Sequence, residues 1–260
     1  MALNPKAIQA RIGSVKNTKK ITHAMEMISA VKMRKATENV LATRSYANLA
    51  WQMLKDLSVK TDKKLNPLLE KRDIKKVGVV LITSNRGLCG GFVSKLLQET
   101  NRYIKGLKEK YPDMQVEMII TGSKGRKIFK YFGYEIAAEF EKFDLTTKIE
   151  EILPMAKMLV KDYISGRYDK IVLAYTDYES PVRQTQRVKE LLPLGGEDEA
   201  LGKAMAENNL KNEISLEEFK FEPNPKKVLN VLLPKLVEMQ VYQAILESDA
   251  SEHSARMVAM

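Results

Sequence analysis

Between Arg11 and Ala36 the chain reads RIGSVKNTKKITHAMEMISAVKMRKA, with one glycine, Gly13, and no proline. Ala, Met, Lys and Arg make up half of it, residue types that lose little freedom in a helix. From Pro5 to about Leu57 these types and Leu dominate, which predicts a single long helix. Its apolar residues fall at Ile8, Ile12 and Val15 and then at Ile21, Met25, Ile28 and Val31. Spacings of three and four define a narrow stripe, suited to one partner helix. Such a helix is ~80 Å long, while a compact domain of ~150 residues has a radius of gyration of only ~15 Å. Much of it is expected to project beyond any body the chain can build.

Further along, the period changes. KKVGVVLITSNRG places a continuous apolar run, Val77 to Ile82, before a glycine-bearing turn, and a helical pattern follows from Phe92 to Lys110. The arrangement returns in QVEMIITGSKGRKIFKYFG and in YDKIVLAYTDYESP, separated by helical segments such as Lys148 to Ile164. Buried strands alternating with helices predict a parallel α/β sheet between about 75 and 195, within a domain set at 75–215. The polar stretch Gly195 to Asn212 reads as a surface excursion.

From Pro225 the helical period resumes, with Leu229, Leu232, Leu233, Leu236, Met239, Val241, Ile245 and Leu246 as its apolar residues and Pro234 as an expected kink or break. The chain stops at Met260 in mid-pattern, with no stop signal. Paired antiparallel, the second arm (225–260, ~50 Å) leaves ~30 Å of the first arm (1–57) without a partner. The sequence is therefore expected to be cut short. The fold class is α/β with two helical arms.

The 260 residues carry a formal charge of +10, and residues 1–55 hold ten basic side chains against two acidic ones. The first arm thus calls for an acidic partner. Apolar content of 44% is enough for a core. No apolar run reaches the ~20 residues of a membrane span, and the N-terminus lacks an apolar signal region, so a soluble, intracellular protein is expected. One cysteine, Cys89, makes neither an internal disulfide nor a cysteine-rich zinc site.

The turn Gly87-Leu88-Cys89-Gly90-Gly91 follows a strand and opens a helix, so a tight turn, a phosphate loop and a nucleophile elbow all come into question. The nucleotide fingerprints G-x-x-x-x-G-K-[ST] and G-x-G-x-x-G are missing here. A cysteine nucleophile wants a histidine, and His23 and His253 both lie in the arms. A structural turn through Gly87, Gly90 and Gly91 is the favoured reading. Gly122 to Lys127 reads as a helix entry, with three cations that leave an anion site open. The two histidines read as interhelical polar residues, not as a split metal pair. A projecting cationic helix also suits a nucleic-acid binder, although only Tyr46 and Trp51 could stack on bases. A protein-partner shaft is preferred to that alternative.

Three stretches carry a resemblance. Arg11 to Ala36, Ile82 to Phe92 (ITSNRGLCGGF) and Gln240 to Met260 (QVYQAILESDASEHSARMVAM) resemble, in order, the N-terminal, central and C-terminal motifs of gamma subunits of F-type ATP synthases. The resemblance spans essentially the whole chain. It implies an antiparallel coiled coil of the termini with a Rossmann-like domain between them, acting as a rotor that performs no chemistry and holds no cofactor or metal. The implied partners are a ring of alpha and beta subunits, an epsilon subunit and a c-subunit ring, the last being the only link to the membrane. No nucleic acid is implied. Chloroplast-type paired cysteines are lacking, so the pattern is bacterial and the implied place is the cytoplasmic face of the plasma membrane.

Residue by residue, Met25 matches the family's methionine facing an acidic loop of the beta subunits, with Lys32, Arg34 and Lys35 close by on the arm. Arg86 matches a basic position near the same stator surface, next to Asn85 where the family more often has Asp. Phe219, Phe221, Glu222 and Asn224 correspond to the segment that touches the c ring.

Overall fold

A computed structural model describes residues 5–60, 66–142, 148–194 and 225–260. Two long helices, α1 (Pro5–Lys60) and α5 (Pro225–Ala259), enclose in sequence an α/β body. The body comprises β1 (Lys76–Ile82), α2 (Phe92–Lys110), β2 (Gln115–Thr121), α3 (Ser123–Tyr131), β3 (Glu135–Phe140), α4 (Ile149–Ile164), β4 (Lys170–Ser180) and β5 (Arg183–Leu192). The sheet order is β3-β2-β1-β4-β5, parallel except for β5, which returns antiparallel beside β4. The mainly parallel α/β expectation holds. β3 and β5 were not expected: β5 alternates charged and polar residues, RQTQRVKE, which carry no apolar run.

Alternation along the strands builds two cores. Val77, Val79 and Leu81 of β1, with Met118 and Ile120 of β2, pack under α2 and Phe129 of α3. On the opposite face Val80, Ile119, Leu173 and Tyr175 pack against Ile152, Met155 and Leu159 of α4 and against Leu229, Leu233, Val237 and Val241 of α5. The helix α5 is thus both a wall of the body and half of the shaft. Of the kink or break expected at Pro234, the break is not found: the helix continues through it. Buried Leu229, Leu233, Leu236 and Val237 grip it on both sides of the proline and hold the helical path where one backbone bond is lost.

Helices α1 and α5 run antiparallel: Thr43 bonds Gln243 at 2.7 Å, and Val40 packs with Leu246 and Ala250. The seam differs from the predicted stripe. Ser29, Val40 and Arg44 are buried and Met25, Met33 and Ala36 are half-buried, whereas Ile8, Ile12, Val15, Ile21, Ile28 and Val31 are exposed, Val31 to 71%. Small residues at the seam, Ser29 and Ala36 facing a helix that carries Ala250, allow close approach. Residues 195–224, which include the predicted excursion and Phe219, Phe221, Glu222 and Asn224, lie outside the described residues.

Gly122 and Gly125 enter α3 against the end of β1. Gly122 has φ +95°, and a Cβ there would lie 2.6 Å from the Thr83 carbonyl oxygen. Gly122→Ala should cost roughly 2–4 kcal/mol through the left-handed backbone and this clash. Gly106→Ala, in the open on α2 with nothing within 4 Å of the new methyl, should gain ~0.5–1 kcal/mol. Urea unfolding of both variants checks the contrast.

Candidate functional site

The site is the seat where the shaft meets the sheet. β1 flanks β4 only as far as Ala174, so β4 beyond it has β5 on one edge and no strand on the other. Main-chain groups buried on such an edge need partners, and the shaft supplies them. The Thr176 N–H donates to Ser248 Oγ at 3.1 Å, and Ser251 Oγ donates to the Thr176 carbonyl at 3.2 Å. Two residues on, the Tyr178 N–H donates to Glu247 Oε2 at 3.1 Å, and Arg44 of α1 donates to the Tyr178 carbonyl at 3.1 Å. Arg44 and Glu247 are themselves paired at 2.7 Å, with side chains 7% and 0% exposed. Past the strand, Ser254 Oγ donates to the Pro181 carbonyl at 2.5 Å. The two-residue period of the strand thus meets one face of α5, where Ser248, Ser251 and Ser254 recur every third residue.

A second set of contacts holds the C-terminal part of α5 across the carboxyl ends of the strands. Lys142, just past β3, pairs with Asp249 at 2.9 Å and Glu252 at 2.5 Å. Arg256 pairs with Glu252 at 2.7 Å and donates to the Gly87 carbonyl at 3.4 Å. Burial opposes the charge on Lys142, but Asp249 and Glu252 outweigh it and hold its pKa above the ordinary lysine range. Burial would likewise raise Glu252, and Lys142 with Arg256 reverses this, leaving the carboxyl below its usual range. His253 is pushed down to about 4 by burial, against the pull of Glu252 and with the help of the charges on Lys142, Arg256 and Lys32. At the β4 edge, burial raises both Glu247 and Asp177, against Arg44 for the first and against Arg187 and Arg44 for the second. Arg187 Nε lies 2.8 Å from Asp177 Oδ2, a charge contact in which the N–H is not aimed at the carboxylate.

In open doubly wound sheets ligands bind outside the carboxyl ends of the strands, where the chain switches from one face to the other. That switch falls here between β1 and β4, and α5 lies across it. The first glycine turn follows suit. Leu88 (φ 60°) and Gly90 (φ 55°) adopt left-handed backbone, and the turn offers α5 carbonyls, not amides. The amides that open α3 are used within the protein: Ser123 N–H bonds Asn85 Oδ1, Lys124 N–H the Ser84 carbonyl and Gly125 N–H Thr83 Oγ1. The anion site left open at Gly122 to Lys127 is therefore closed. Asn85 also donates from Nδ2 to the Lys142 carbonyl at 2.6 Å, a bond an aspartate could not give.

Of the expected site residues, Met25 and Lys32 are half-buried on the seam side of α1, while Arg34 and Lys35 are exposed. Arg86 is exposed on the β1–α2 turn, and its carbonyl lies 3.5 Å from Arg256. The end of α5 thereby joins the turn that carries Arg86 to the part of α1 near Lys32, whose charge reaches His253. Of the turn glycines, Gly90 alone needs left-handed backbone, while Gly87 and Gly91 do not. His23 pairs with Glu26 and His253 faces Arg256. Reading the sequence missed Arg44, Lys142, Glu247, Ser248, Ser251, Glu252 and Arg256. The available signal was the run Glu247-Ser248-x-x-Ser251-x-x-Ser254, small polar residues recurring on one face of an apolar helix.

Fold and site define a doubly wound body whose strand-end crevice is crossed by α5, one of the two helices of its own shaft. The sequence model of the ATP synthase family matches residues 4–260. The ATP synthase gamma chain of Chloroflexus aurantiacus is 38% identical over 256 residues, 97% of this chain and 83% of that one. The gamma chain of Dehalococcoides mccartyi is 38% identical over 259 residues, 99% and 85% of the two chains. Among solved structures, the central stalk and c-ring of the Tetrahymena thermophila mitochondrial ATP synthase contains a chain similar in fold at a TM-score of 0.66 and 22% identity, covering 92% of this chain and 97% of its own length. The chain belongs to the ATP synthase family, among its gamma chains.

A group whose folded pKa is depressed stabilises the fold above its unfolded pKa and loses that contribution as pH falls through the folded value. For His253 the window runs from ~6.5 in the unfolded chain to about 4. Asp177 and Glu247, raised, act in the opposite sense, so the histidine is isolated by difference. The stability advantage of wild type over His253→Asn should fall as pH drops from 7 to 4, by at most ~3 kcal/mol and less where solvent reaches the ring. Urea unfolding across that pH range measures it.

Proposed function

We propose that this chain is the central rotor shaft of an F-type ATP synthase, coupling ion-driven rotation of a c-subunit ring to conformational change at catalytic sites on beta subunits. The observation that carries this reading is α1. Its 56 residues make a rod of ~84 Å, paired antiparallel with α5 through Val40, Thr43 and Arg44, and residues 1–55 hold ten basic side chains against two acidic ones. A long basic rod of this kind suits a shaft held in an acidic protein partner. The rotor performs no chemistry of its own. Contacts that differ among the three beta subunits shift the balance of open and closed catalytic states as the asymmetric shaft turns, because only differential contacts move such an equilibrium.

In this reading Met25, Lys32, Arg34, Lys35 and Arg86 face the stator ring of alpha and beta subunits, where an acidic surface answers the basic arm. Phe219, Phe221, Glu222 and Asn224 touch the c ring, and an epsilon subunit sits beside the body. The chain itself works as a peripheral component at the cytoplasmic face of a bacterial plasma membrane. Among the described residues no helix is long and apolar enough to cross a membrane.

Mixed with alpha and beta subunits from a bacterial relative, the chain should assemble into a complex that hydrolyses ATP, as checked by gel filtration and phosphate release. Replacing Lys32, Arg34 and Lys35 together with Ser should lower ATP-driven ion transport at least threefold with the complex still assembled. Absence of any complex with alpha and beta would refute the rotor reading.

A further inference from the structure

The shaft contacts the body through two kinds of surface. Along its first half α5 offers leucines and valines to α4 and the sheet, a contact that is adhesive but non-directional. Where α1 and α5 meet near β4, the apolar seam holds Val40, Leu246, Ala250 and Ala36 together with the rings of Tyr178 and Tyr242. These contacts, like those of the first half of α5, bind by area and are non-directional. The side-chain bonds to Thr176 and Tyr178 are different. They are directional, they lie off the shaft axis, and they engage main-chain atoms that cannot change rotamer.

We propose that Arg44 and the Glu247, Ser248 and Ser251 face of α5 form the torque joint of the molecule, keying both shaft helices to the open edge of β4. The proposal rests on the rotor reading. Arg44 is the positioning residue, because one guanidinium reaches α5 at Glu247 and β4 at the Tyr178 carbonyl. Glu247 closes the loop by accepting the N–H of that same residue, so a single residue of the sheet is held by both arms. Gln243 steadies Glu247 at 2.9 Å and is held in turn by Thr43 of α1 at 2.7 Å. A shift of the shaft by one strand residue would present Glu247 to a carbonyl and Arg44 to an amide, two repulsive contacts in a dry site. The joint therefore has one register. It resists slip through the cost of leaving buried charges without their partners.

The test uses the assembled ATP synthase in membrane vesicles and reads the charge moved per ATP hydrolysed, with a potential-sensitive dye and a phosphate assay. Arg44→Met should lower that ratio at least fivefold, and Ser248→Ala with Ser251→Ala about twofold. The exchange of Arg44→Glu with Glu247→Arg keeps a salt bridge between the two helices but turns a cation to the Tyr178 N–H and a carboxylate to its carbonyl, so it should not restore the ratio. If the exchange restores it, the pair only staples the two helices and the proposal falls. A wild-type ratio in the double serine variant also overturns it. That variant removes only neutral hydrogen bonds, so it decides the matter if Arg44→Met fails to assemble. Failure of the wild-type chain to assemble with alpha and beta is a different result and overturns the rotor reading together with the joint.

Discussion

A strand that outlasts its neighbour leaves main-chain donors and acceptors without partners, and β4 outlasts β1. Water satisfies such an edge when it is exposed. Here it is buried, with Thr176 fully enclosed and Tyr178 nearly so, and each orphaned group would cost on the order of 1–3 kcal/mol. The side chains of α5 and α1 provide what a sixth strand would have given. Much of the remaining architecture follows from this constraint: the polar character of α5 past Gln243, the small residues on its seam with α1, and the path of the shaft across the carboxyl ends of the strands.

The helix α5 therefore has two halves with different physics. Its first half is a wall of the hydrophobic core and binds by area. Its second half is buried yet polar, with Glu247, Ser248, Ser251, Glu252 and Arg256 all enclosed, and it binds by register. Protons act on the two ends of that second half in opposite senses. Acid weakens the grip around Lys142, Glu252 and His253, while the raised carboxyls of Glu247 and Asp177 take up protons more readily in the fold than in the open chain. A rotor needs a body and a shaft that turn as one piece, and this division supplies both adhesion and a fixed angle.

How much of this could be read from the residues depended on the signal each feature leaves. Long apolar or helix-forming runs announced α1, β1, β2, α2, α4, β4 and α5, because burial on both faces or a sustained period writes itself into composition. β5 escaped because RQTQRVKE packs few apolar side chains. The second part of the stripe on α1 was placed on Ile21, Met25, Ile28 and Val31; Met25 does lie on the seam side, but the seam otherwise uses Ser29, Val40 and Arg44. Hydrophobicity marks surfaces that some partner covers without saying which partner. The seat on β4 was nearly invisible, since its strand contributes backbone atoms, which have no letter in a sequence. Only the recurrence of serine at 248, 251 and 254 hinted at it. Lys142 had no local signal, because its partners Asp249 and Glu252 lie more than a hundred residues away.

The central claim is that the shaft satisfies the open edge of β4, and amide hydrogen exchange tests it most directly. The amides of Thr176 and Tyr178 should exchange as slowly as that of Val172 in the middle of the sheet, and Ser248→Ala should accelerate Thr176 while leaving Val172 unchanged. Rapid exchange of Thr176 and Tyr178 in the wild-type protein, at the rate of an uncovered strand edge, would contradict the account.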